Sequence, residues 1–292
     1  GNTSYSTETR ATRSVARGDE TKSAAEIFTQ REIHPTMSPI GVTLRECRDS
    51  VAHPNTVPII LGLDVTASMG HIPHELIKSG LPTLMSGLIR TGLVDASLCF
   101  VAVTDHLSTN RAPFQLGQFE SGDAELDMWL ERTWLEGGGG GQDMESYMLA
   151  WLFALHVVET DAWTNRQKKG FLITVGDERN HPDITFRRCA EIFGPELANR
   201  MVPNHDRISS MEILNAVREK WHVFHISCRH GALDSHGFWA GIMGDNARET
   251  RDHTLVPEII AQMVLDHPDT DATYDPLLFH STAPVGDRQM EV

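Results

Sequence analysis

The stretch Val57-Pro58-Ile59-Ile60-Leu61-Gly62-Leu63-Asp64-Val65-Thr66-Ala67-Ser68-Met69-Gly70 decides how this chain of 292 residues is read. Its first seven residues are an apolar run of strand length, and past Gly70 an amphipathic stretch opens at Ile72-Pro73, so the order is strand, loop, helix. Asp64, Thr66 and Ser68 fall at alternate positions at the carboxyl end of a buried strand, the edge where ligands bind in open α/β sheets. Three hard oxygen ligands on one side of a tight loop suit a small divalent cation such as Mg²⁺. The competing reading is that Thr66 and Ser68 only cap the next helix.

Working outward, residues 73–89 place Leu76, Ile77, Leu81, Leu84, Met85 and Leu88 on one helical face, with Pro82 as a kink or interruption. Residues 96–104 are a second buried strand ending in Asp105-His106, and residues 114–119 alternate as an antiparallel edge strand does. A helix is expected over 125–135. Five glycines at 137–141 then precede a strongly apolar helix over 144–158, a setting in which glycine serves close approach to a ligand or positive φ better than it serves a linker. Residues 170–176 form a third core strand ending in Asp177-Glu178. Helices are expected at 184–193 and 211–220, a fourth core strand at 221–228, a short polar strand or turn within 241–254, and a closing helix at 255–265. Strands alternating with helices imply right-handed crossovers and a doubly wound, Rossmann-like α/β fold. Its six-stranded sheet is mainly parallel, with one antiparallel edge strand and helices on both faces.

The division expected is a polar amino-terminal extension at 1–54, one domain at 55–266 and an irregular tail at 267–292. Residues 1–22 have the composition of an arm that cannot fold alone and orders against a partner, and the whole extension 1–54 is expected to wrap the domain or bind a neighbouring copy. Short helices are expected near 23–30 and 42–50, with an extended segment at 33–40 because of Pro35 and Pro39. The 25 Lys and Arg against 40 Asp and Glu give a formal charge of −15, which argues against nucleic acid or an anionic membrane as the partner. Cys47, Cys99, Cys189 and Cys228 show no Cys-x-x-Cys spacing and read as buried thiols of a reducing cytoplasm. No apolar run reaches the length of a membrane span, and the amino terminus lacks a signal-peptide core.

In a parallel sheet the strand ends share one edge, so Asp64, Asp105 and Asp177 converge there, together with the glycine loop. The order of elements and the sequence Asp64-Val65-Thr66-Ala67-Ser68-Met69 resemble the von Willebrand factor A domain, whose metal-ion-dependent adhesion site opens with Asp-x-Ser-x-Ser. The resemblance covers residues 58–265. It implies that Thr66 and Ser68 ligate the metal directly, with Asp64 close in or acting through water. Two further motifs depart from the family pattern. The family's loop threonine is replaced by a choice among Asp143, Glu145 and Ser146, of which Glu145 lies nearest the expected place. The strand-end Asp comes two residues late, as Asp177. A metal set of Asp64, Thr66, Ser68, Glu145 and Asp177 follows, for Mg²⁺ with Mn²⁺ or Ca²⁺ as alternates. A directly bound Glu145 would partly neutralise the ion and weaken its pull on a partner's carboxylate.

Rival readings lack parts. A haloacid dehalogenase phosphatase needs a second Asp where Thr66 stands. A serine hydrolase elbow needs Gly two residues before Ser68. A phosphate loop needs Lys after Gly141, where Gln142 stands. His71 with His74, and Cys228 with His230, Asp234 and His236, invite a zinc reading without recognised zinc spacing, and His71 also reads as an outer group of the Mg²⁺ site. The function expected is therefore a cytoplasmic, non-enzymatic module that docks a protein partner through an Asp or Glu. Resemblance to intracellular relatives implies an AAA+ ATPase of the MoxR or chelatase type as that partner. The competing class is a metal-dependent hydrolase using Asp64, Asp105 and Asp177.

Overall fold

In the computed structural model the described residues are 28–108, 112–135, 144–228 and 235–281, with Tyr5, Ser6, residues 8–10, Thr12, Arg13 and Glu26. Six strands form the main sheet: β1 (Val57–Asp64), β2 (Ala96–Val103), β3 (Phe114–Glu120), β4 (Gly170–Gly176), β5 (Trp221–Cys228) and β6 (Ala247–Thr250). Their order across the sheet is β6-β5-β4-β1-β2-β3. Every pairing is parallel except β2 with the edge strand β3. β1 is thus central, and Asp64 stands opposite Val103 of β2 while Leu63 stands opposite Val175 of β4.

The longer helices are α1 (Leu81–Arg90), α2 (Asp123–Arg132), α3 (Met148–His156), α4 (Phe186–Phe193), α5 (Pro195–Met201), α6 (Ser210–Val217), α7 (Ser235–Met243) and α8 (Val256–Leu265). Alternation along β1 divides the core. Ile59, Leu61 and Leu63 pack with side chains of α1, α2 and α8, while Ile60 faces the other way into a cluster with α3 to α7. Covering both faces is what makes the parallel strands read as unbroken apolar runs. α3 is apolar all round because α5 and α6 lie over it as well.

The helical run after the Asp64 loop is continuous but uneven. Ile72–Glu75 is α-helical and Leu76–Gly80 is a π segment, closed by the Leu81 N–H bonding the Leu76 carbonyl five residues back. Pro82 follows at once, and a proline that cannot donate to the preceding turn is the physical reason for the irregularity. The carbonyl of Lys78, four residues before Pro82, accepts from Arg10 at 3.4 Å. Arg10 also pairs with Asp127 at 2.9 Å, Arg13 with Asp123 and Asp127, and Tyr5 is buried nearby, so these amino-terminal residues lie against α1 and α2 of their own chain.

Several local expectations are corrected. The helix expected at 42–50 is instead a strand, Arg45–Cys47, pairing in parallel with Val158–Thr160. Its partner arrives from more than a hundred residues away, which local propensity does not register. Residues 33–40 hold a single 3-10 turn, Pro35–Met37. The helix expected from residue 144 starts at Met148, since Met144–Glu145 pair with Arg179–Asn180 and the Asn180 Oδ1 accepts from the Met148 N–H at 3.0 Å. Ile184 belongs to Asp183–Thr185, a strand paired with Arg207–Ser209, and α4 starts after it, capped by Thr185. Beyond His267 a short helix, Pro276–Phe279, seats Phe279 against Gly87, where any added Cβ would meet the ring at 2.1 Å.

Candidate metal centre

At the carboxyl end of β1 the chain leaves the sheet as Asp64, and the next hydroxyls fold back onto it. Asp64 Oδ1 accepts from the Thr66 N–H at 2.9 Å and from the Thr66 hydroxyl at 2.6 Å. Ser68 Oγ donates to Asp177 Oδ1 at 3.0 Å, across from β1 to the end of β4. Asp177 therefore reaches the loop although it lies two residues beyond the place the family pattern gives it. Thr66 Oγ1 and Ser68 Oγ are 3.1 Å apart. Each has its one proton on a carboxylate, so lone pairs remain free on both. Thr66 occupies the N-cap position of the 3-10 turn Ala67–Met69 but makes no side-chain capping bond, so the cap-only reading fails for it.

Asp64 is fully buried, and its Oδ2 accepts from the Tyr147 hydroxyl at 2.9 Å. Tyr147 lies within the apolar run 144–158, so nothing local in the sequence signals its bond to Asp64. It passes over Gly176, where a Cβ would sit 1.9 Å from the Tyr147 oxygen, and this close approach requires glycine at the end of β4. Glu145 stands beside Tyr147 in sequence. Its backbone is held by the pairing with Asn180 and by the His181 N–H, which donates to the Glu145 carbonyl at 3.0 Å. Glu145 is 4% exposed, and its Oε2 is buried without a hydrogen-bond partner among the described residues.

Asp105, beyond the end of β2, is arranged differently. Its Oδ1 contacts His181 Nε2 at 2.7 Å and accepts from the Leu107 N–H at 2.7 Å. Ser146 Oγ accepts from the His106 N–H at 2.8 Å and meets His106 Nδ1 at 2.7 Å, and the His106 and His181 rings meet edge to face with centroids 4.7 Å apart. Ser146, one of the three choices for a loop ligand, is thus engaged with His106. Of the other two, Asp143 lies outside the described residues, as do the glycines at 137–141, while Glu145 is placed.

The charges confirm the crowding. Burial, and then the negative charges of Asp64, Asp105, Glu178 and Asp177, push the Glu145 carboxyl far above the usual carboxylate range. Asp64 is raised by burial and by Asp177, against the hydrogen bonds from Thr66 and Tyr147. Burial also opposes ionisation of Asp105, but the His181 hydrogen bond, the Leu107 N–H and the neighbouring imidazoles hold it below the usual range. His106 is pushed down to about 4 by burial and by His181.

This donor set fits a small hard cation. Adjacent ligands of an octahedral Mg²⁺ with bonds of 2.0–2.1 Å lie about 2.9 Å apart, close to the 3.1 Å separation of the two hydroxyl oxygens. Ser68 is exposed whereas Asp64, Thr66, Glu145 and Asp177 are buried, so the site opens outward on the Ser68 side. His71, three residues on, turns its Nε2 toward Glu75 at 3.7 Å. Of the second histidine group, Cys228 is buried and His236 lies in α7, while His230 and Asp234 are outside the described residues. The four cysteines are free and buried. Among the described residues no helix is long and apolar enough to cross a membrane.

No protein-family model and no curated protein matches the chain. Among solved structures, the chain is similar to the vWF domain of the type V pili tip protein Mfa5 from Porphyromonas gingivalis, at 13% identity, TM-score 0.46, covering 71% of this chain and 94% of that one. It is similar to the pilus adhesin SpaC from Lactobacillus rhamnosus GG at 9% identity and TM-score 0.46, covering 75% of this chain and 31% of SpaC. A third likeness is to proximal thread matrix protein 1 from the mussel byssus, at 10% identity, TM-score 0.41, covering 75% of this chain and 49% of that one. The chain thus spans about a third of SpaC, and likenesses this distant carry no functional argument. The strand order, the single antiparallel edge strand and the helices on both faces give this chain a fold of the von Willebrand factor A type.

Proposed function

We propose that this chain is a protein-interaction module whose strand-end site holds a divalent cation, Mg²⁺ by preference, and presents it to a carboxylate of a partner protein. The observation that carries the reading is the pair of Thr66 and Ser68 hydroxyls held by Asp64 and Asp177, with a buried Glu145 whose Oε2 has no hydrogen-bond partner among the described residues and which feels the charges of both acids. An acid surrounded by acids is stabilised by a cation more than by any neighbour within reach of its free oxygen. Thr66 and Ser68 would be the direct ligands, Asp64 and Asp177 would hold those hydroxyls in place, and Glu145 would close the buried side. The ion supplies a Lewis-acidic position open to an incoming carboxylate oxygen.

An AAA+ ATPase is the partner class that the resemblance to intracellular relatives favours. Affinity capture in Mg²⁺ and in chelator, with wild type and Ser68→Ala, tests the reading. A partner retained by wild type in Mg²⁺, and released by chelator and by Ser68→Ala, supports it. The hydrolase reading draws on the convergence of Asp105 on Glu145 at the same edge. Mg²⁺-dependent turnover of a generic phosphomonoester that is abolished by Asp64→Asn would overturn the binding module in favour of that class.

A further inference from the structure

Three groups of histidine and carboxylate side chains come together among the described residues, each with ligand atoms within 4.8 Å of one another. In the buried group, Asp105 with His106 and His181, the hydrogen bonds described above engage the carboxylate and both rings. In the second, His267 Nδ1 accepts from the Asp269 N–H at 3.2 Å while His222 Nε2 meets Asp269 Oδ2 at 2.6 Å, so local bonds again account for the arrangement. The third group, His71, Glu75 and His253, is built otherwise. Two Nε2 atoms from opposite ends of the domain face the two oxygens of one carboxylate: His253 hydrogen-bonds Glu75 Oε2, and His71 lies 3.7 Å from Glu75 Oε1.

The backbone fixes this convergence. His71 and Glu75 are four residues apart on one helical face, joined by the Glu75 N–H bonding the His71 carbonyl at 3.1 Å. His253 opens the 3-10 turn His253–Leu255 that leads into α8, and Asp252 caps that turn by accepting from the Thr254 N–H at 3.0 Å. The two imidazoles stand edge to face with centroids 5.3 Å apart, so their Nε2 atoms converge without the rings colliding. His71 and Glu75 side chains are 61% and 44% exposed, which leaves them free to rotate onto an ion and leaves its remaining position to water. Ligands of a tetrahedral Zn²⁺ with bonds of 2.0–2.1 Å lie about 3.4 Å apart, a contraction that small side-chain rotations supply.

We propose that His71, Glu75 and His253 form a transition-metal site for Zn²⁺, distinct in chemistry and place from the strand-end oxygen site. Two imidazoles and one carboxylate select a borderline metal over Mg²⁺. Three protein ligands with an open fourth position make it an exchangeable site, and a bound ion ties the helix that follows the Ser68 loop to the start of α8. The residue spacing hides it, because His253 is 178 positions from Glu75.

The test is calorimetric titration of the whole metal-stripped chain with ZnCl₂, alongside thermal melts, for wild type, His253→Ala, Glu75→Gln, Ser68→Ala and His222→Ala. Loss of one of three protein ligands is expected to weaken the tightest Zn²⁺ equivalent by about a hundredfold, while Ser68→Ala and His222→Ala keep it. Zinc is expected to raise the melting temperature of wild type but not of His253→Ala. Co²⁺ in place of Zn²⁺ gives a second readout, with visible d–d absorption that the His253→Ala and Glu75→Gln variants lack. Zn²⁺ affinity unchanged in both of those variants, or lost in Ser68→Ala or His222→Ala, overturns the proposal. Because Mg²⁺ binding plays no part in these readouts, failure here leaves the strand-end reading to its own test.

Discussion

Two carboxylates at the same sheet edge face opposite fates. Asp105 is closed by its own protein: His181 and the Leu107 N–H both bond it, and it ionises readily in spite of burial. Glu145 has one oxygen without a partner among the described residues, the charges of four acids bear on it, and its carboxyl is pushed far up. Folding thus completes one acid and leaves the other incomplete. On the proposed reading, the incomplete buried acid waits for a ligand, whereas the completed one is a brace.

Substitutions break this contrast in graded ways. The largest effect is expected from Gly176→Ala, whose Cβ would collide with the Tyr147 oxygen that bonds Asp64. Overpacking at so tight a contact costs about 3 kcal/mol or more, read as a lower denaturation midpoint, together with loss of ion binding. His181→Ala comes next. It leaves Asp105 buried with an unpaired charge, and removing one partner of such a pair costs about 3 kcal/mol in urea unfolding. Glu145→Gln is expected to do the reverse. In metal-free protein the carboxyl that burial and its acid neighbours keep protonated is replaced by a neutral amide of the same shape, which removes the cost of protonating it on folding and stabilises by about 1 kcal/mol or more at neutral pH, although it weakens Mg²⁺ binding. Equal destabilisation by His181→Ala and Glu145→Gln would erase the distinction between brace and site.

The smallest effect is a pH dependence carried by buried histidines, against which the raised carboxyls of Asp64 and Glu145 act with the opposite sign, their contribution being lost as pH rises. Burial lowers His106 and His156 to about 4 and drives His225 well below its ordinary value. At these three rings the folded chain binds fewer protons than the unfolded chain below the ordinary histidine value of about 6.5, so the histidine contribution to stability is lost as pH falls from there toward about 4. Thermal melts across that range should show the midpoint of His156→Gln gaining on that of wild type as pH falls, because the variant lacks one of these rings.

The core strands, the antiparallel edge and the closing helix were legible because buried strands of a parallel sheet are unbroken apolar runs bounded by polar turns. Asp64, Thr66 and Ser68 were legible for a related reason, since one loop at one strand end carries all three. What the sequence hid was whatever depends on a partner far along the chain. Tyr147 looked like core because its hydroxyl finds Asp64 only across Gly176. The strand Arg45–Cys47 looked helical because Val158–Thr160 is remote. His181, which closes Asp105, and Asn180, which caps α3, carry no local signal of those roles, and His253 has none of its meeting with Glu75.

The central claim is that Ser68 and its neighbours form a cation site completed by an ion. Its most direct test is calorimetric titration of metal-stripped wild type and Ser68→Ala with Mg²⁺. One Mg²⁺ per chain in wild type, with affinity at least about tenfold weaker in Ser68→Ala, is the outcome expected when a direct ligand is removed. Equal Mg²⁺ binding by the two proteins, or no binding by wild type, contradicts it.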